Sequence, residues 1–315
     1  MAVDSNVVIE KINNFEQMFV LFSTFTHHPF IVCDEETFDD QVYVFTSEEM
    51  MQAFAKHFTT DKYHLRGVEV KKEMIPAFFQ SLYLLGVNAV MVQDEGAPVR
   101  VQLSELAEKP DVDALRRTLI PQANPELQLT GIYFMQELMR PLDRNIEEKK
   151  HLQSLEADMA HYLLKSRFVV TFDVTAVQGR WDPTKNDENV KVPLVKTKRG
   201  DIYQPIYSDF SEMQSFNRFN KDVRLEMTAV PYERLTDFLV NDSKGFVFNP
   251  GGFNLILTRE QITEMLERYG EDREPVQTEE NVETAADFTA QDENDADTNE
   301  IKATDAEGAE AAEEI

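Results

Sequence analysis

Val44-Phe45-Thr46-Ser47-Glu48-Glu49-Met50-Met51-Gln52-Ala53-Phe54 returns 162 residues later as Ile206-Tyr207-Ser208-Asp209-Phe210-Ser211-Glu212-Met213-Gln214-Ser215-Phe216, and this pair of stretches decides the fold. In each, an apolar strand ending in an aromatic residue runs into a polar helix start, and a phenylalanine follows. Further on, Asn88-Ala89-Val90-Met91-Val92 returns as Lys244-Gly245-Phe246-Val247-Phe248, after a connection six residues shorter. A repeat fixes architecture, because each copy must carry its own hydrophobic faces and bury them. It supplies no chemistry.

Working outward from the first stretch, Ile12, Phe15, Phe19 and Phe22 lie at helical spacing and predict a leading helix over residues 10–25. Phe30 to Cys33 reads as a buried strand, and Gln41 to Phe45 as its returning partner across the acidic turn Glu35 to Asp40. Thr46 and Glu49 have capping-box spacing and predict a helix to about Phe58. Val68 to Val70 is a strand and Glu73 to Leu85 a helix with Ile75, Phe78, Phe79, Leu82 and Leu85 inward. Ala89 to Val92 and Val99 to Leu103 are strands, and Ser104 caps a last short helix. The second copy follows the same order, from a helix carrying Leu152, Leu155, Met159 and Tyr162 to a closing helix over Thr258 to Arg268, with Asp209 and Glu212 as its box one residue out of register. Each unit reads α-β-β-α-β-α-β-β-α, an α+β arrangement with helices covering a mixed sheet. The domains expected are 1–110 and 145–269. Between them lies a connector, 111–144, broken by Pro121, Pro125 and Pro141, with one helix at Thr130 to Met139.

The chain has 315 residues, enough for two domains that each bury a core. Its 58 acidic and 31 basic side chains give a net charge of −27. Residues 271–315 hold 17 acidic and 2 basic of these, a net of −15, with little apolar material, so disorder is expected over 270–315. That segment reads either as a solubilising tail or as an interaction tail for a basic partner. The remaining residues are still net −12 and would repel a polyanion, which speaks against nucleic acid as a partner. One cysteine, Cys33, excludes an intramolecular disulfide and fits a reducing compartment. The start Met1-Ala2-Val3-Asp4-Ser5-Asn6 lacks a signal-peptide pattern, and no apolar run is long enough to span a bilayer. A cytoplasmic location and no membrane partner are expected.

With both copies laid out, the pattern resembles the SseB family, named for an enhanced-serine-sensitivity phenotype, and in particular its N-terminal domain. The resemblance is carried by the strand-to-helix junctions Val44-Phe45-Thr46-Ser47 and Pro205-Ile206-Tyr207-Ser208, and by the strand Phe246-Val247-Phe248 ending in Asn249-Pro250-Gly251-Gly252. In the first copy that ending has become Gln93-Asp94-Glu95-Gly96. The resemblance implies a bacterial cytoplasmic protein without established enzymatic activity.

Candidate chemistry is sparse. Asn249-Pro250-Gly251-Gly252 reads as a hairpin turn, or as a nest whose open amides take an anion or a peptide carboxylate. No Gly-Lys-Ser/Thr follows and no Gly-x-Gly-x-x-Gly occurs, so no nucleotide cofactor is expected. His27, His28, Cys33 and Asp34 are metal-ligand types, but Phe30 to Val32 between them suit a strand, and no metal is expected. Residues 295–306 imitate a calcium loop, yet position six is Glu300 and position twelve is Ala306. No Gly-x-Ser-x-Gly elbow is present, and Asp39 with Asp40 point apart on a strand, so no catalytic residue is assigned. Lys196, Lys198 and Arg199 form the densest basic spot, with Trp181 in an insertion that the first copy lacks. They read as an exposed turn or as a partner-contact surface. The function expected is a non-catalytic interaction or ligand-binding module with an unknown protein partner, the groove between the two units being its expected recognition cleft. The alternative is an enzyme of unrecognised type acting on a small metabolite there.

Overall fold

The computed structural model describes residues 5–94, 96–181, 187–218, 222–270 and 302–304. The chain divides into two units, one comprising Met1–Ala114 with Asn124–Met159, the other Leu115–Ala123 with Ala160–Ile315. The residues expected to be a connector are thus shared out. Helix α5 (Pro125–Leu138) belongs to the first unit, starting with proline at its first turn, where the missing amide costs nothing. Ile120 packs into the second unit's core, where Pro121 O accepts the Phe210 amide at 2.7 Å. The expectation of disorder over 270–315 lies outside the described residues, apart from Gly270 and Lys302–Thr304.

In the first unit, helix α1 (Ser5–Asn13) precedes strands β1 (Gln17–Ser23), β2 (Ile31–Cys33) and β3 (Asp40–Phe45). Helix α2 (Glu48–Thr60), strand β4 (Leu65–Lys71), helix α3 (Ile75–Leu82) and strands β5 (Ala89–Gln93) and β6 (Val99–Gln102) follow. The short helix α4 (Val112–Arg116) precedes α5, and both α4 and α6 (Ile146–Lys165) contain a boundary between the units. The sheet order is β4-β1-β3-β5-β6, with β2 on β3. Only β3 and β5 run parallel, from Gln41↔Ala89 to Phe45↔Gln93. The core on the α2 side joins Phe19, Leu21, Phe30, Phe45 and Met51 to Phe54, Phe58 and Tyr63. Phe30 meets Phe58 edge-on at 4.9 Å, and each such buried ring contributes about 1.5–3 kcal/mol.

The second unit repeats this path. Strands β7 (Arg167–Asp173), β8 (Leu194–Lys196), β9 (Ile202–Tyr207), β10 (Leu225–Pro231), β11 (Gly245–Phe248) and β12 (Leu255–Thr258) give the order β10-β7-β9-β11-β12, with β8 on β9. Helix α7 (Phe210–Asn217) follows β9, and α8 (Arg259–Tyr269) follows β12. A three-residue strand, β13 (Lys302–Thr304), pairs with β8. Gly245 has to be glycine: a Cβ there would lie 2.1 Å from Leu257 O on β12. No helix among the described residues is long and apolar enough to cross a membrane.

The likeness reaches single hydrogen bonds. Lys72 N donates to Glu16 O at 2.9 Å as Tyr232 N does to Ser166 O at 3.3 Å. Asn88 N donates to Asp40 O at 3.0 Å as Lys244 N does to Ile202 O at 2.9 Å. Gln102 with Glu105, and Thr258 with Gln261, form capping boxes at matching places, so Gln102 and not Ser104 caps the turn after β6. Ser47 Oγ accepts the Met50 amide at 3.3 Å and Asp209 Oδ1 the Glu212 amide at 3.0 Å. Ser47 and Asp209 are 162 residues apart, so the two caps are in register, and Thr46 is not the first of them.

The element string needs one correction. The first unit has a strand more than expected, because Gln17–Ser23 is β1 and not part of a leading helix, whereas its counterpart β7 falls where a strand over Arg167 to Phe172 is expected. Met18 to Leu21 are all buried, so this inner strand shows no alternation, and its phenylalanines fall at helical spacing by coincidence. In the second unit the 3₁₀ helix Tyr232–Phe238 stands where the first unit has helix α3.

Candidate functional site

The turn after β11 is a support for the neighbouring strand end. Asn249 is fully buried and left-handed, with φ +46°, a conformation asparagine tolerates better than other side chains. Its Oδ1 accepts the Ser208 amide at 2.8 Å and its Nδ2 donates to Ser208 Oγ at 2.8 Å. Ser208 Oγ donates to Asp209 Oδ2 at 2.7 Å, and Asp209 Oδ1 caps α7. Pro250 and Gly252 are buried, and the Gly252 amide donates to Asn249 O at 2.8 Å. That amide is therefore not open to an anion. Beside this network, burial pushes the Tyr207 hydroxyl far above its usual range, and Asn217 Nδ2 donates to its oxygen at 3.1 Å.

The matching junction of the first unit is wetter. Gln93 Nε2 reaches only Asp94 O and Gly96 O, both at 3.3 Å. Thr46 Oγ1 donates to Asp94 Oδ1 at 3.2 Å, and Lys11 pairs with Asp94 Oδ2 at 2.6 Å, with the lysine side chain 57% exposed. Such an exposed pair contributes little.

The other predicted residues lie on two segments. Trp181 follows β7 and leans on Phe172, the rings 5.1 Å apart and tilted by 38°. Residues 182–186 of its insertion lie outside the described residues. Lys198 and Arg199 are exposed in the β8–β9 turn, where Gly200 takes φ +92°. Lys244 binds Asp201 at 2.5 Å beneath that turn, and this hydrogen bond raises the lysine pKa.

Sequence reasoning misses a polar cluster at the β2–β3 turn. Asp34 Oδ1 accepts from the Thr37 and Glu36 amides and the Thr37 hydroxyl, which hold its carboxyl below the usual range. Arg100 on β6 donates to Asp34 Oδ2 at 2.5 Å and stands 3.6 Å from Asp39, which also accepts from Asn88 and Gln102. Asp40 points the other way and accepts from Tyr133 of α5 at 2.7 Å. Burial raises the Asp40 pKa above the ordinary carboxylate value, while the tyrosine bond pulls it down. Cys33 is exposed beside these carboxylates, and burial followed by the charge of Asp40 raises its pKa. A thiol held protonated is a poor nucleophile. His27 sits in the preceding turn at φ +54°, its pKa lowered chiefly by burial. No group of three His, Cys, Asp or Glu side chains among the described residues is placed to hold a metal ion. The signal in the sequence was the pairing of an acidic turn with an arginine two strands away, which only the sheet order reveals.

No family model matches the chain, and no curated protein matches it. Among solved structures, Anabaena Tic22 (protein transport) is similar at 8% identity over 76% of this chain and 88% of its own, with a TM-score of 0.18. Tic22 from Plasmodium falciparum is similar at 12% identity over 83% of this chain and 96% of its own, with a TM-score of 0.17. At these scores neither similarity carries an argument about fold or function.

Proposed function

We propose that the chain is a non-catalytic interaction module made of two copies of one α+β unit, of the SseB kind that its sequence resembles. The observation that supports this reading is how the polar groups are used. Asn249, Ser208 and Asp209 bind one another or cap α7, and Asp34 and Asp39 converge on Arg100, so these two polar clusters serve the fold. Exposed cations, by contrast, gather on the β8–β9 turn, and Trp181 is half-buried on the insertion peculiar to the second unit. Aromatic and arginine side chains of this sort anchor protein interfaces.

The test is a pull-down from the native cell with the tagged full chain and with a Trp181→Ala, Lys198→Glu, Arg199→Glu variant. All three sites lie outside the core, so an unchanged circular dichroism spectrum is expected alongside the loss of specific partners. An identical partner set from both proteins would remove this surface from the proposal.

A further inference from the structure

The two units treat the same sheet edge differently. In the first, a side chain fills the outer side of β2. The Ile31 amide donates to Gln136 Oε1 at 3.2 Å, and Gln136 Nε2 donates to Ile31 O at 3.0 Å. Gln136, on α5, is 5% exposed. One buried amide thus imitates a residue of a neighbouring strand, and Ile31 is closed to any further chain.

The counterpart of β2 is β8. With Tyr207 matched to Phe45, the pairings Ile31↔Val42 and Val195↔Tyr203 place Leu194 where Ile31 stands. The Thr197 amide donates to Asp201 O at 2.9 Å, as the Asp34 amide does to Asp39 O at 2.9 Å. By alternation Val195 also faces β9, so the backbone groups of Leu194 and Lys196 face the opposite, outer side. Along that side lies β13, antiparallel, with Thr304↔Leu194, Ala303↔Val195 and Lys302↔Lys196. The backbone of the chain's own C-terminal segment does for Leu194 what Gln136 does for Ile31.

Charge favours the same pairing. Residues 190–200 contain Lys191, Lys196, Lys198 and Arg199 and no acidic side chain, whereas residues 271–315 are net −15. Lys302 falls opposite Lys196, which is unfavourable by itself, but it is one of only 2 basic residues in that acidic segment. The long-range field draws the segment towards the basic turn, and the backbone bonds give it register.

We infer that the outer edge of β8 is a strand-addition site for an extended acidic segment, occupied in the resting chain by its own Lys302–Thr304. This deepens the interaction-module reading and rests on it for biological meaning. Three residues make a short strand. The tether compensates by holding the segment at an effective concentration of roughly millimolar order.

The test reads amide hydrogen exchange by NMR in the full chain and in its Thr304→Pro variant. Proline there removes the amide that faces Leu194. The Leu194 and Lys196 amides are expected to exchange about tenfold faster in the variant, while the Val195 amide, bonded to β9, keeps its rate. Adding a synthetic peptide of residues 296–310 to the variant restores protection, and the same peptide with proline at 304 does not. Equal exchange in the two proteins overturns the proposal, as does restoration by both peptides or by neither. If the peptide result holds while the Trp181, Lys198 and Arg199 variant keeps every partner, the strand site stands and the Trp181, Lys198 and Arg199 surface falls.

Discussion

The strand end Phe45-Thr46 in the first unit and Tyr207-Ser208 in the second hold the same place in the same sheet order, yet one faces water and the other is sealed. Ser208 is 1% exposed and held by the amide of a fully buried Asn249, while Thr46 is half-buried and shares Asp94 with an exposed lysine. The edges differ the opposite way. Gln136 seals β2, and β8 is covered by a strand from the chain's end. A duplicated sheet dictates which backbone groups must find partners, because buried amides and carbonyls cannot stay unpaired. It leaves open what supplies the partner, and the two units place a sealing amide side chain, Gln136 or Asn249, at different positions.

The sharpest way to break this comparison is to remove the sealed junction. Asn249→Ala removes the acceptor of the Ser208 amide and the donor to Ser208 Oγ in a buried site, and should lower the stability of the second unit by about 2–4 kcal/mol. Gln93→Ala at the matching place should cost under about 1 kcal/mol, since its bonds are long and near solvent. Trp181, the only tryptophan, reports the second unit in a urea titration followed by fluorescence. Exchange of backbone amides on β3 reports the first. Equal losses from the two substitutions would erase the distinction between a sealed and an open junction.

Gln136 offers a slightly smaller effect with a built-in gradation. Gln136→Leu keeps the volume but strands both Ile31 backbone groups, which are buried, for an expected loss of about 2–3 kcal/mol in the first unit. Gln136→Glu retains an acceptor for the Ile31 amide and loses only the donor to Ile31 O, so that amide should stay better protected than in the leucine variant. Native-state hydrogen exchange at Ile31 measures both. If the two variants exchange alike, α5 closes the edge by packing and not through its amide.

The repeat was legible because the strand-to-helix junction needs an aromatic, a short polar cap and an apolar helix face in fixed order, and those residues survive at a constant offset of 162. The sealing contacts were not. Gln136 sits in a helix among Ile132, Phe134 and Met135, and nothing in that spacing says that its amide will meet a strand edge 105 residues away. Strand β1 was hidden for another reason. A central strand buried on both faces has no period-two pattern, and Phe15, Phe19 and Phe22 supply a false helical one. Asn249 was readable as a turn residue, but its function as the Ser208 partner depends on β9 and β11 lying side by side.

A smaller effect than at Gln136 is expected at Asp40, which the second unit replaces with Ile202. Tyr133→Phe deletes the hydroxyl that donates to Asp40 and should cost about 1 kcal/mol, since Asp40 keeps some access to water. Its signature is in the titration. Burial already raises the Asp40 pKa and the tyrosine bond opposes that rise, so the phenylalanine variant should titrate higher still when the carboxyl is followed by carbon NMR. The folded state then binds the proton more tightly than the unfolded chain. That contribution to stability is complete below the unfolded value of about 4 and is lost as pH rises through the folded pKa, a window that widens upward in the variant. Asp34 runs the other way: its carboxyl is held low by Thr37 and Glu36 amides, so its contribution is present above the same unfolded value and fades as pH falls. A downward shift of Asp40 in Tyr133→Phe would mean that the tyrosine had been favouring the neutral acid, and that α5 is held to the sheet by something other than this bond.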